Sequence, residues 1–120
     1  MHMRRVLFDK NVPVPLRRHL KGYVIRTAAD EGWGQISNGL LVDFASRAGY
    51  DVLLTCDQNI HYQQNLTGRT ISLVVLESNI WTAVLPKVSE IVAALARTTP
   101  GSFEAIPIEV PQKPRRLSDL

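Results

Sequence analysis

The sequence predicts an α/β fold: a single three-layer domain over residues 3–110, with a short, mainly parallel sheet in the order about 2-1-3-4, followed by a polar C-terminal tail at 111–120. Two observations carry this expectation. Short apolar runs closed by turn-forming polar residues alternate with stretches whose apolar residues recur at helical spacing. Two of those runs, RRVLF and DVLLT, lead into Asp9 and Asp57, so parallel strands would bring both carboxylates to one sheet edge.

Arg4 to Phe8 is short, apolar and bounded by Asp-Lys-Asn, as suits a first strand buried on both faces. Pro13 and Pro15 fit the opening turn of a helix over Pro13 to Leu20, with Asn11 as candidate N-cap and Gly22 as stop. Tyr23 to Thr27 reads as strand two, and Ala28 to Asn38, with Gly32 and Gly34 around Trp33, as a loop. Leu40, Leu41, Phe44, Ala45 and Ala48 then recur at helical spacing, capped by Ser37 or Asn38 and stopped at Gly49. Asp51 to Thr55 is strand three, and the polar stretch to Gly68 has room for a short helix. Thr70 to Leu76 is strand four, Leu85 to Arg97 a helix with Pro86 in its first turn, and Phe103 to Val110 an edge strand or strand-like tail punctuated by Pro107 and Pro111.

The 120 residues suit one core that buries roughly two-thirds of the unfolded surface. The 45% hydrophobic and 21% charged fractions exclude the disordered class. The longest apolar runs, Ser72 to Leu76 and Ile91 to Leu95, fall far short of the ~18 residues of a membrane span. A lone Cys56 excludes an internal disulfide, and with no signal-like N-terminus a cytoplasmic setting is expected; Met3, after Met1 and His2, reads as the natural start. The net charge of +3 is partly clustered, in Arg4, Arg5, Arg17, Arg18, His19 and Lys21 and again in Lys113, Arg115 and Arg116, which suits a polyanion or a solvated surface equally.

Alternating strands and helices imply right-handed crossovers. In the order 2-1-3-4, strands one and three are neighbours whose connections leave in opposite directions, and ligands bind outside the carboxyl ends of the strands at such a switch point. Asp9 and Asp57 both fall there. Carboxylates gathered without neutralising cations repel, and a hard divalent ion such as Mg²⁺ or Mn²⁺ compensates; it can polarise a phosphoryl oxygen and generate hydroxide from bound water. Turn or helix capping by the two aspartates accounts for the same residues.

Other residues admit two readings. Cys56, with His61 five residues on, has the elements of a nucleophile and base but no orienting third group, and a buried strand-end cysteine is the commoner case. Tyr62, in the polar run His61 to Asn65, could stack a base or belong to an exposed helix. Lys10 could contact a phosphate or pair with a carboxylate. Trp33 is expected to anchor its loop over the sheet edge and Trp81 to pack under the last helix, while Asp30 and Glu31 suit turn chemistry or an approach to the cleft.

The pieces VLFDKNVPVPLRRHL, GYVIRTAADEGWGQISNGLLVDFA and YDVLLTCDQNIHYQQNLTGRTISLVVL resemble, by their order and spacing, the small PIN-like domains grouped as DUF5615 and Mut7-C, over roughly Arg4 to Leu95. The pattern is an opening strand ending in Asp, a Gly-Trp loop before an acidic helix start, and a strand leading to Thr-x-Asp. The resemblance implies a metal-dependent ribonuclease, of a kind often assigned as the toxin of a toxin–antitoxin pair. It gives Asp9 the first metal-ligand role and Asp57 the later one, as the catalytic residues, with Mg²⁺ or Mn²⁺ as cofactor.

The chain departs from the pattern at two places. Ser37, Asn38, Gly39 and Leu40 stand where acids open the second helix, and Asn59 stands where many members carry a second Asp. Amide oxygens of Asn38 and Asn59 coordinate without bringing charge, so a metal would be weakly held. Asp43, five residues after Asn38 and turned roughly 140° from it, reads as a surface residue. Lys10, Asn11, Arg17, Arg18 and Tyr62 are the expected RNA contacts. The alternative is a catalytically inactive PIN-like binding or regulatory module. RNA and an antitoxin protein are the implied partners, a homo-oligomer stays open, and no membrane partner is expected.

Overall fold

Three of the apolar runs are buried on both faces, which is what a parallel sheet demands of its inner strands. In the computed structural model, which describes residues 3–60 and 69–110, these are β1 (Arg5–Phe8), β3 (Val52–Thr55) and β4 (Ser72–Leu76). The flanking strands β2 (Val24–Thr27) and β5 (Phe103–Ile106) are mixed in burial and lie at the edges. All five pair in parallel in the order β2-β1-β3-β4-β5. The expected order 2-1-3-4 thus gains a fifth strand beside β4. Phe8 pairs in register with Leu54 at the carboxyl ends of β1 and β3.

Alternation along the strands divides the core in two. Val6, Phe8, Val52, Leu54, Val74 and Leu76 face one side, under Leu16 of the 3-10 helix Val14–His19 and under Ile91, Ala94 and Leu95 of α3 (Val88–Ala96). Leu7, Leu53, Leu73 and Val75 face the other, under Leu41, Val42 and Ala45 of α1 (Asn38–Arg47). The predicted last helix begins earlier than Leu85: α2 (Trp81–Val84) leads through a 3-10 turn at Leu85–Lys87 into α3. The first helix is 3-10 and its N-cap is Pro13, so Asn11 is released from capping. Ser37 caps α1 through its backbone, accepting from the Leu41 N–H at 2.9 Å, and Gly49, at φ 85°, ends that helix in a conformation a side chain would strain. The expected helix before Gly68 lies outside the described residues.

Connections β1→β2 and β2→β3 cross the sheet in opposite directions over opposite faces and therefore share one hand. The link β4→β5 passes over the same face as β1→β2 but in the other direction, so it has the opposite hand. The expectation of uniformly right-handed crossovers fails there. The 3-10 helix and α3 share the cover of that face, over the apolar side chains of β1, β3 and β4.

The two edges differ. On β2, the Ile25 carbonyl accepts from Arg17 Nη2 at 2.7 Å, the Thr27 N–H donates to Asp30 Oδ2 at 2.9 Å, and the Thr27 carbonyl accepts from the Glu31 N–H at 3.3 Å. These contacts block strand addition along that edge. Beyond β5, Pro107 follows the last strand residue and brings no N–H to that edge.

Ile91 is fully buried while its neighbour Val92 is 38% exposed on the same helix. Ile91→Ala should therefore cost about 2–5 kcal/mol in urea unfolding, and Val92→Ala within about 0.5 kcal/mol. Equal losses at the two positions would contradict this placement of α3.

Candidate functional site

The carboxyl ends of β1 and β3 lie side by side, and the residues just beyond them are cross-linked by hydrogen bonds. The Asp9 N–H donates to the Leu54 carbonyl at 2.9 Å, extending the ladder one residue past β1. The Asp9 side chain is only 3% exposed. Its Oδ1 accepts from the Lys10 N–H at 2.7 Å and its Oδ2 from the Thr55 hydroxyl at 2.7 Å. A buried carboxylate needs such partners, because removing it from water without them is costly.

Thr55 Oγ1 also accepts from the Asp57 N–H at 3.1 Å, so one hydroxyl joins the two aspartate positions. The Asp57 carboxylate is half-buried, and its Oδ1 accepts from the Asn59 N–H at 3.0 Å, an Asx-type turn. Asn11 provides a second cross-link, its Oδ1 accepting from the Cys56 N–H at 3.0 Å. The loops after β1 and β3 are thereby fastened to each other twice, by Thr55 to Asp9 and by Asn11 to Cys56.

The remaining candidate residues separate. Asn59 enters through its backbone, and the Asn38 side chain and Tyr62, with the rest of His61 to Gly68, lie outside the described residues. Asp43 forms an ion pair with Arg69 on the outside of α1, in keeping with a surface role. Arg17 is committed to the Ile25 carbonyl and stands 3.7 Å from Asp30, so its expected freedom to meet RNA is reduced. Lys10 and Arg18 are exposed, and their side chains have no ion-pair partner among the described residues.

Asp30 and Glu31 follow turn chemistry. Hydrogen bonds from Thr27 hold the Asp30 carboxyl below its usual range, and those from Arg26 and the Tyr50 hydroxyl do the same for Glu31. Trp33 does not reach over the carboxyl edge; its ring meets Phe44 in α1 and Tyr50 at the entry to β3, edge-on at 5.6 and 6.3 Å. Trp81 begins a helix of its own and packs against the α3-side core, with its ring 5.7 Å from that of His19.

Cys56 is not set up as a nucleophile. Burial, with the nearby Asp9 charge adding to it, pushes its thiol up to about 12, and its Sγ donates to the Ser78 carbonyl at 3.4 Å.

The donor set at this edge is oxygen, which suits a hard divalent cation in kind. In number it is small, because among the described residues no three His, Cys, Asp or Glu side chains converge. Sequence reasoning missed Thr55 as the connecting hydroxyl. Its signal was present: a threonine two residues before an aspartate at the close of a buried strand.

Comparison with protein-family models, with curated proteins and with solved structures gives no match.

Thr55→Val keeps the shape of the side chain but leaves a buried Asp9 oxygen and the Asp57 N–H without their partner, and should cost about 1–3 kcal/mol of stability in urea. Thr55→Ser should recover most of the loss. The raised Cys56 pKa also has a sign: the folded state keeps the proton while the unfolded thiol loses it near 9.0. Stability contributed by this group is thus fully present below about pH 9 and declines as pH rises toward 12. Cys56→Ala should flatten that decline relative to the parent, and at pH 9 the native thiol should react with a disulfide reagent far more slowly than the urea-unfolded one.

Proposed function

We propose that this chain is a metal-dependent ribonuclease of the PIN-like class with a depleted acidic site, and that it acts as the toxin partner of an antitoxin protein. The observation that carries the reading is the coupling of Asp9 and Asp57 through Thr55 at the β1/β3 switch point. That is where an open parallel sheet binds its ligands.

In this reading Asp9 is the fixed negative charge of the site. Burial and two hydrogen bonds hold its carboxylate still, and the Thr55 hydroxyl sets the position of the backbone that presents Asp57. Asp57 is the more accessible carboxylate and faces substrate. Lys10 and Arg18, exposed and without described ion-pair partners, meet phosphates. Asp9 and Asp57 would hold Mg²⁺ or Mn²⁺, with the amide of Asn59 assisting and Asn38 proposed alongside. Such an ion supplies electrophilic assistance to the phosphoryl oxygen and an activated water.

A second reading has its own support. Both Asp9 oxygens already accept hydrogen bonds from protein groups, and an Asp57 oxygen closes a turn. These are the signs of a PIN-like module that keeps the architecture as a binding or regulatory domain without turnover.

Cleavage of single-stranded RNA in Mn²⁺ separates the two. Asp57→Asn keeps an oxygen for the Asn59 N–H and should leave the thermal midpoint nearly unchanged while lowering cleavage by about 10–100-fold or more. Undiminished cleavage in this variant would sink the nuclease reading. Asp9→Ala is the poorer test, since losing a buried, doubly bonded carboxylate also costs stability. Binding of Mn²⁺ to the folded state should raise the midpoint with concentration, and a flat response to roughly millimolar metal would favour the inactive module.

A further inference from the structure

Among the described residues, six arginines are engaged by protein groups. Arg4 donates to the Leu95 carbonyl and Thr98, Arg5 to the Ala48 carbonyl, Arg17 to the Ile25 carbonyl, Arg26 pairs with Glu31, Arg69 with Asp43 and Arg97 with Glu104. Arg18 and Lys21 are exposed and have no such partner among the described residues. Between them stands His19, exposed, with its ring centroid 5.7 Å from that of Trp81 and the planes tilted by 41°. The segment from Val14 to Gly22 contains no acidic residue.

This aromatic pair is tied to the candidate site by the chain itself. Cys56 Sγ donates to the Ser78 carbonyl at 3.4 Å and Gln58 Nε2 to the Glu77 carbonyl at 3.5 Å, which docks the β4–α2 loop onto the loop carrying Asp57. Trp81 follows Ser78 by three residues, a span of at most about 10 Å. Flat rings beside unpaired cations recognise a ligand with a π face and a repeating negative charge, which is single-stranded nucleic acid rather than a duplex whose bases are already stacked.

We propose that His19 and Trp81 form a stacking platform for a base of single-stranded RNA leaving the Asp9–Asp57 cleft, with Arg18 and Lys21 holding the adjoining phosphates. The choice of RNA rests on the ribonuclease reading; the platform itself rests on the ring pair and the unpaired cations. Trp81 is half-buried and packs against the core, so its inner edge is structural, and the exposed ring of His19 is the surface on which a base extends the stack.

The test is fluorescence anisotropy of a labelled oligouridylate with the full chain in EDTA, where binding is read without turnover. His19→Ala should weaken binding about five-fold or more. Arg18→Ala should weaken it and reduce the dependence of log affinity on log salt by about 0.7, because one phosphate is no longer neutralised. Trp81→Phe should retain most of the affinity, which separates stacking from loss of fold in Trp81→Ala. Unchanged affinity in His19→Ala, equal affinity for duplex RNA, equal displacement by an acidic peptide, or no binding by the parent chain each overturns the platform. Cleavage in Mn²⁺ is read separately: His19-dependent binding without cleavage keeps the platform and removes the nuclease, and unaltered cleavage and binding in His19→Ala does the reverse.

Discussion

The carboxylate of Asp9 is the constraint on which the carboxyl edge of this sheet depends. A negative charge with 3% exposure must be met by donors fixed in place, and the two available are the next backbone N–H and the Thr55 hydroxyl of the neighbouring strand. Because that hydroxyl donates to Asp9, its lone pair is left to accept from the Asp57 N–H, and the position of the second loop follows from the needs of the first. Asn11 reinforces the same arrangement from the opposite direction, its side-chain oxygen receiving the Cys56 N–H. Lys10 and Asn11 after β1, and Thr55, Cys56 and Asp57 at the end of β3, are thus joined around one buried charge.

The rest of the fold delivers those two loops to the same place. β1 and β3 are adjacent and, apart from Arg5 and Thr55, apolar, and the 3-10 helix, α1 and α3 are among the elements that cover their two faces. The 3-10 helix is short, and α3 covers the same face beside it, on a connection whose hand is opposite to that of β1→β2. Arginine side chains complete the arrangement at the periphery. Arg4 binds the end of α3 through the Leu95 carbonyl and Thr98, Arg5 binds the end of α1 through the Ala48 carbonyl and lies 4.3 Å over the Tyr50 ring, and Arg17 shields the β2 edge. Much of the positive charge concentrated early in the chain is therefore structural, which narrows any polyanion-binding role to the few cations left over.

The fold was legible in the sequence because burial on both faces leaves a local mark. VLF, VLL and LVVL are uninterrupted apolar runs within β1, β3 and β4, and helical spacing marks α1 and α3. The order of the first four strands is that of the commonest small arrangement, and Pro107 and Pro111 marked the last run for an edge. What local pattern could not convey was anything decided by a distant partner. Asn11 looks like a helix cap until Cys56, far along the chain, is seen to use its oxygen. Arg17 looks like a free cation until the Ile25 carbonyl appears beside it. The Trp81 side chain reads as ordinary core filler, and only the tertiary approach of the 3-10 helix brings His19 against it. The reversed crossover was invisible for the same reason, since it depends on which face of the sheet α3 covers.

The two aspartates, equivalent in the sequence pattern, are not equivalent in the folded chain. Asp9 is enclosed, with each oxygen accepting from one protein donor, and its substitution must be felt by the fold as well as by any chemistry. Asp57 is half-buried, holds a turn with one oxygen, and can lose its charge while an amide keeps that turn closed. This asymmetry follows from position: Asp9 continues the hydrogen-bonded ladder of a central strand against β3, whereas Asp57 lies two residues past the end of its strand. A site built this way concentrates its structural demand on one carboxylate and its accessibility on the other. The Asn59 N–H fixes the accessible carboxylate as the Lys10 N–H and the Thr55 hydroxyl fix the buried one, so the two differ in what solvent reaches rather than in whether they are held.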